Sequence, residues 1–290
     1  MLQELEGMGF EAVELGHGIR QTLVDGVLKY LERGTLRVTS VHNFCPLPIE
    51  VLRSDPDCME FSARSQQVRR RAIRMTRETI DFAKSVGAGV VVLHLGSVGG
   101  APTERGVGES VKEGKIYGRH HVALKLTTLR RRELGVAAAW SRVHECLEQI
   151  VPHARERGIR LGAECRCSVF ELPLETEWEA LWEKYPPGDL GYWHDFGHMQ
   201  RKECLTFGDH WQALGSQRAR IVGAHVHDAS VMRDHRPVGT GQVAWERLLP
   251  LLPKDIPLVL EMGPWVERDD VVASRERLST LLGGSHAAIG

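Results

Sequence analysis

Seven short, largely apolar runs recur along the chain: FEAVELG (10–16), RVTSVHNF (37–44), AGVVVLHLGS (88–97), IRLGAECRC (159–167), LGYWHDFG (190–197), ARIVGAHVHDA (219–229) and IPLVLEMG (256–263). Each has the length of a strand. Most are apolar on both faces, as strands are in a parallel sheet covered on both sides. Between them the apolar positions shift to helical spacing. QVRRRAIRMTRETIDFAKSVG (67–87) reads as a helix closed by a glycine, and SRVHECLEQIVPHARERG (141–158) as one capped by Ser141, ended by Gly158 and kinked at Pro152. The junctions SVGAGVVVLH and ERGIRLGAE run from helix through glycine to strand. Repeated units of this kind predict a (β/α) barrel or a doubly wound sheet in a single α/β domain over 1–290.

Two stretches break the rhythm. Only seven strands are legible, and the chain opens inside a helical segment, LQELEGMG, that leads into the first of them. The first strand of an eight-stranded barrel is therefore missing, and closure with seven leaves a gap between the Glu261 strand and the Glu14 strand. Open sheet edges are rare, so a natural start upstream of Met1 is expected, or else another segment or a partner chain in the slot. Residues 98–140, after the third predicted strand, are too long for a simple connection and rich in Gly, Lys and Arg. They read as a solvated insertion or as a mobile lid over the barrel mouth, and 283–290 as a flexible tail.

Composition narrows the partners. The chain has 290 residues, 42% hydrophobic and 26% charged, with a net charge of −1, which provides no global field for nucleic acid or an anionic membrane. No apolar run approaches the roughly 20 residues of a membrane helix, and MLQELEGMGF lacks the basic start of a signal peptide. Cys45, Cys58, Cys146, Cys165, Cys167 and Cys204 are scattered, and Cys165-x-Cys167 is not zinc-ligand spacing. Reduced thiols in a cytoplasmic protein are the reading that follows.

The chemistry lies at the strand ends. His42, His94, Glu164, Asp195 with His198, His225 with His227 and Asp228, and Glu261 each close a predicted strand or follow it directly, and His235 lies in the loop after the sixth. Ligands of α/β sheets bind at the carboxyl ends of the strands, so these groups converge on one face. Taken singly, a histidine there is an ordinary one, Asp195 a helix cap, and Trp193 and Phe196 packing residues. Glu164 and Glu261 are harder to explain away, because a carboxylate in an apolar strand is costly to bury unless paired or bound to a cation. Mixed carboxylate and imidazole ligands suit Zn²⁺, Mn²⁺, Fe²⁺ or Co²⁺.

In order and spacing, GFEAVELG, SVHN, VVLHLGS, GAECR, HDFGH, GAHVHDAS, DHRPVGTGQVAW and PLVLEM resemble the xylose-isomerase-like TIM-barrel superfamily. That superfamily includes sugar phosphate isomerases and epimerases, ketose 3-epimerases, inosose dehydratases and endonuclease IV. The resemblance implies a (β/α)8-type TIM barrel and one divalent ion (Mn²⁺, Zn²⁺, Co²⁺ or Mg²⁺) on Glu164, Asp195, His225 and Glu261. It implies that Glu164 and Glu261 move the proton while His198 contacts substrate. In endonuclease IV the set grows to three zinc ions and takes in the matches to His42, His94, His198 and His235. Arg233 stands where that pattern has an Asp, with Asp234 one place off; Asp228 fits the epimerase pattern, Arg233 only approximately, and Thr240 replaces a glutamate. The expected activity is isomerisation or epimerisation of a small sugar, sugar phosphate or polyol, and water elimination shares its first step. Two alternatives stand beside it. One is hydrolysis at abasic DNA, for which the basic 105–132 segment argues; the other is a non-catalytic barrel used for binding. The expected partners are a small carbohydrate and further copies of the chain, not nucleic acid or membrane.

Overall fold

The apolar runs become seven parallel strands: β1 (Ala12–Leu15), β2 (Arg37–His42), β3 (Val90–Leu93), β4 (Arg160–Glu164), β5 (Leu190–Asp195), β6 (Ile221–Val226) and β7 (Leu258–Leu260). A computed structural model of the chain describes all residues except 53, 100–103, 232 and 284–288. Each strand pairs with the next in sequence order. The sheet curls until β6 and β1 meet through a side-chain contact, His225 Nε2 to Glu14 Oε1 at 3.0 Å. The result is a nearly closed α/β barrel. Among the described residues no helix is long and apolar enough to cross a membrane.

Alternation along the strands divides the core. Val91, Leu161, Ala163, Leu190, Tyr192 and Ala224 pack outward against helices such as α3 (Gln66–Ser85) and α5 (Arg119–Arg157). Inside the barrel, Val90, Val92, Trp193, Val222 and Val259 form a separate apolar floor. Gly223 makes room for it, since a Cβ there would lie 2.1 Å from the Trp193 ring. Trp193 and Phe196 are both fully buried packing residues. The strand residues one step above the floor face the polar end of the barrel.

The expected helices are present with changed limits. The 67–87 segment is α3, capped by the Ser65 side chain, which accepts from Val68 N–H. The 141–158 segment is the second half of α5, which runs unbroken through Pro152 from Arg119 to Arg157. The 98–140 stretch is thus largely helical, comprising α4 (Glu104–Lys112) and the first half of α5. The insertion expected after the third strand is therefore present and built of helix, for which its Lys and Arg are good formers. Its Gly135 serves close packing, because a Cβ there would sit 2.8 Å from Val98 O.

These helices are fastened to the connections above the strand ends. Arg132, 1% exposed, donates to both oxygens of Glu177 at 2.7 and 2.8 Å and also to Val169 O. Glu104 accepts from Ser168 Oγ and Val169 N. Replacing Arg132 by Ala leaves Glu177 and Val169 O without this partner. Glu177 is partly exposed, so we expect a loss of about 2 kcal/mol, between surface and buried pairs. A melting temperature lower by about 5 °C, with faster amide exchange in α4 and the first half of α5, would be the result. Unchanged exchange there would show that these contacts do not hold the segment.

At the open side, no ladder joins β7 to β1 among the described residues. A cavity of ≈ 230 Å³ lies between them, lined by Phe10, Val13, Val259, Met262 and others. Most of the expected flexible tail lies outside the described residues. Its last two residues, however, are placed in the slot. Gly290 N–H donates to Leu258 O, Leu260 N–H donates to Gly290 O, and a Cβ on Gly290 would lie 3.2 Å from Ala12 O.

Candidate metal centre

Each strand presents an inward side chain near its carboxyl end, and these meet above the apolar floor. Glu164, Asp195 and His225 offer ligand atoms within 4.8 Å of one another. Glu261 Oε2 is 3.2 Å from His225 Nδ1, while Glu164 Oε1 and Asp195 Oδ2 are each 3.6 Å from it. Glu164, Asp195 and His225 are buried, and Glu261 is partly open.

The tautomer of His225 is decided by Glu14. His225 Nε2 donates to Glu14 Oε1, and Glu14 also accepts from Ser40 Oγ at 2.7 Å. Nδ1 is then left with a lone pair, is buried, and has no hydrogen-bond partner. A buried acceptor facing three carboxylates is costly unless a cation sits among them. A histidine oriented through its other nitrogen by a carboxylate is the usual build of a metal ligand. These four residues therefore fit a divalent ion. Burial pushes the His225 imidazole down, but Glu261, Glu14 and Glu164 carry it well above its ordinary value, so a proton holds the Nδ1 position that a divalent ion would take. The carboxylates respond in the opposite sense. Burial raises Glu164 and Asp195, yet His94, Arg166 and His225 hold Glu164 well below the carboxylate range, and His198 and His227 do the same for Asp195.

Asp195 is fixed from two sides. Its Oδ1 accepts from His198 N at 2.7 Å as the cap of α7 (Phe196–Cys204), and from His227 Nε2 at 3.0 Å. His227 Nδ1 accepts from His235 N at 2.8 Å, so Nε2 carries the proton and His227 orients Asp195. Gly197 permits this approach, because a Cβ there would lie 2.0 Å from the His227 ring.

The remaining histidines surround the same carboxylates. His198 Nδ1 is 3.1 Å from Glu164 Oε1 and 3.2 Å from Asp195 Oδ2. His235 Nε2 is 3.5 Å from Glu261 Oε2, and its Nδ1 donates to Asp234. His42 Nδ1 donates to Asn43 O, which turns Nε2 toward Glu164 Oε2 at 3.3 Å. His94 Nδ1 is 2.7 Å from Asp57 Oδ1, while its Nε2 is 2.9 Å from Glu164 Oε2 and 2.7 Å from Arg166 Nη1. Burial and Arg166 push the His94 ring toward its neutral form, while Asp57 and Glu164 lift its pKa to about 9. Nε2 thus faces a carboxylate acceptor and a guanidinium donor at once, while Nδ1 faces Asp57.

Two residues placed at the site by sequence stand outside it. The Asp228 carboxylate turns into the following loop and accepts from Ala229 N, Gly239 N, Val243 N and Trp245 Nε1. Its acceptor capacity is used in shaping that loop. Arg233 is exposed, with its guanidinium 5.1 Å over the Trp265 ring; the acid beside His235 is Asp234. Conversely, Glu14, Asp57 and Arg166 belong to the cluster and escaped the sequence reading. Glu14 had a signal, as a carboxylate within the apolar run FEAVELG. Asp57 and Arg166 come from connections and had none.

The chain matches the sequence profile described as xylose isomerase-like TIM barrel over residues 2–278. No curated protein sequence matches it. Among solved structures, a D-tagatose 3-epimerase-like protein superimposes with a TM-score of 0.67 at 18% identity, covering 95% of this chain and 90% of that one. An L-ribulose 3-epimerase gives 0.67 at 16%, covering 98% and 88%. The TTHB071 protein of Thermus thermophilus, soaked with ZnCl2, gives 0.61 at 21%, covering 99% and 94%. At these identities the superpositions speak for the fold alone. The profile spans nearly the whole chain, and with the seven-stranded barrel it shows that the protein belongs to the xylose isomerase-like TIM-barrel family.

Proposed function

We propose that the protein is a divalent-metal-dependent isomerase or epimerase of a small sugar, sugar phosphate or polyol. The observation that carries this reading is the unpartnered Nδ1 of His225, buried against Glu261, Glu164 and Asp195. A divalent ion on these four residues (Mn²⁺, Zn²⁺, Co²⁺ or Mg²⁺) supplies Lewis-acid polarisation of a ketone and the hydroxyl beside it. Glu164, kept ionised by the imidazoles and guanidinium around it, takes the proton from the carbon between them. Glu261, nearer to solvent, returns one. His198, between Glu164 and Asp195, contacts the substrate. That several structural neighbours are sugar epimerases supports the carbohydrate class. Hydrolysis of DNA needs water activated by two or three ions; the exposed Arg233 supplies no ligand, and the acid in that loop is Asp234, grouped with His198 and Cys167.

Solvent exchange tests the proton step whatever the product is. Metal-reconstituted protein is incubated in D2O with a panel of ketopentoses, ketohexoses and their phosphates. We expect deuterium at the carbon beside the carbonyl of at least one, abolished by chelation. Absence of exchange across the panel with each of the four metals, together with nicking of an abasic duplex, would replace this function with the endonuclease one.

A further inference from the structure

Glu164 is shared by two corners of the cluster. One is the His225 corner. The other contains His42 and His94, whose Nε2 atoms approach Glu164 Oε2 at 3.3 and 2.9 Å. The side chain that closes this second corner is Arg166, only 11% exposed. Its Nε donates to Glu171 Oε1 at 2.9 Å and its Nη1 to Glu164 Oε1 at 3.2 Å. Nη1 also lies 2.7 Å from His94 Nε2, and Nη2 is 3.5 Å from Asp57 Oδ2.

We infer that Arg166 is the permanent cation of the His42–His94–Glu164 corner and keeps a metal ion out of it, so that of the two corners only the His225 one takes an ion. A metal here would need His94 Nε2, since Nδ1 faces Asp57, together with Glu164, and Arg166 Nη1 already lies 2.7 Å from that Nε2 and 3.2 Å from Glu164 Oε1. A guanidinium stays charged at any accessible pH, and its planar fork spreads that charge over several carboxylates at once. A divalent ion entering here would meet a like charge within bonding distance of two of its prospective ligands. Displacing Arg166 would take its charge away from Glu164, which is buried, and from the partly exposed Glu171 and Asp57. The His225 corner differs, because its Nδ1 has no donor of any kind. The second clause of the inference rests on the proposed function; the first does not. A one-ion centre suits proton transfer beside a carbonyl, so Arg166 acts as a positioning residue that sets the reaction class.

The test counts ions. Wild type, Arg166→Met, Arg166→Lys and the double variant Arg166→Met/His42→Ala are stripped with chelator, reloaded with Co²⁺ and measured by elemental analysis. Visible absorbance of the bound Co²⁺ gives a second readout. We expect Arg166→Met to bind one ion per chain more than wild type. The double variant should lose that extra ion, and Arg166→Lys should keep the wild-type count. Equal counts in wild type and folded Arg166→Met would overturn the inference. If Arg166→Met fails to fold, His42→Ala in the wild-type background decides: an unchanged count upholds the inference and the loss of one ion overturns it. No ion in wild type but one in Arg166→Met would uphold the role of Arg166 and remove the proposed function. One ion in both would do the reverse.

Discussion

Glu164→Gln should reduce turnover by at least about 10⁴-fold, the upper range for loss of a general base, because the same change also weakens a metal ligand. Glutamine keeps the shape but removes the charge that His94, Arg166 and His225 surround. Solvent-proton exchange should fall with turnover, since Glu164 takes the first proton. Glu261→Gln separates the two acids. It should slow epimerised product more than it slows exchange at the substrate carbon, because the first abstraction survives. Measuring both rates in D2O is the check. If Glu164→Gln retains exchange within about tenfold of wild type while folded, a loss far below that expected for a general base, Glu164 is not the base.

His225→Ala should abolish the stabilisation that metal confers. A ligand bound only by the folded state at about 100 times its dissociation constant stabilises by about 2.7 kcal/mol. We therefore expect wild type to melt several degrees higher with metal than with chelator, and His225→Ala to melt at the same temperature in both. Glu14→Gln is the companion variant. It disturbs the tautomer of His225 without replacing any of the four ligands, and outer partners of this kind typically change metal affinity by about 10–100-fold. Its metal-dependent increment should shrink and reappear at higher metal concentration. A full increment in His225→Ala would place the ion elsewhere in the cluster.

Much of this was legible along the chain because it is encoded locally. Alternation and length marked the seven strands, and six of them carried a ligand-type residue at the carboxyl end: His42, His94, Glu164, Asp195, His225 and Glu261. Parallel strands in sequence order bring those ends to one face, so a set of separated residues could be read as one site. What periodicity cannot encode is direction and distance once a chain leaves its strand. Asp228 has the right type and position, yet backbone N–H groups from Gly239 to Val243 turn it into its loop. The 98–140 stretch read as an insertion or lid, and docking of Arg132 on Glu177 and Val169 accompanies a helical packing there that composition does not report.

The sequence by itself determined the strands, the family resemblance and the residue types available to a metal, since each depends on neighbours a few positions apart. Tertiary structure alone decided which of those residues are free to use their lone pairs. Glu14, 211 positions from His225, leaves Nδ1 bare; Asn43 and Asp57 settle the rings of His42 and His94; and Arg166 fills one corner while the other has no cation. The physical reason is that a tautomer or an ion pair is a contact of about 3 Å, and only closure of the barrel sets which distant groups come that near.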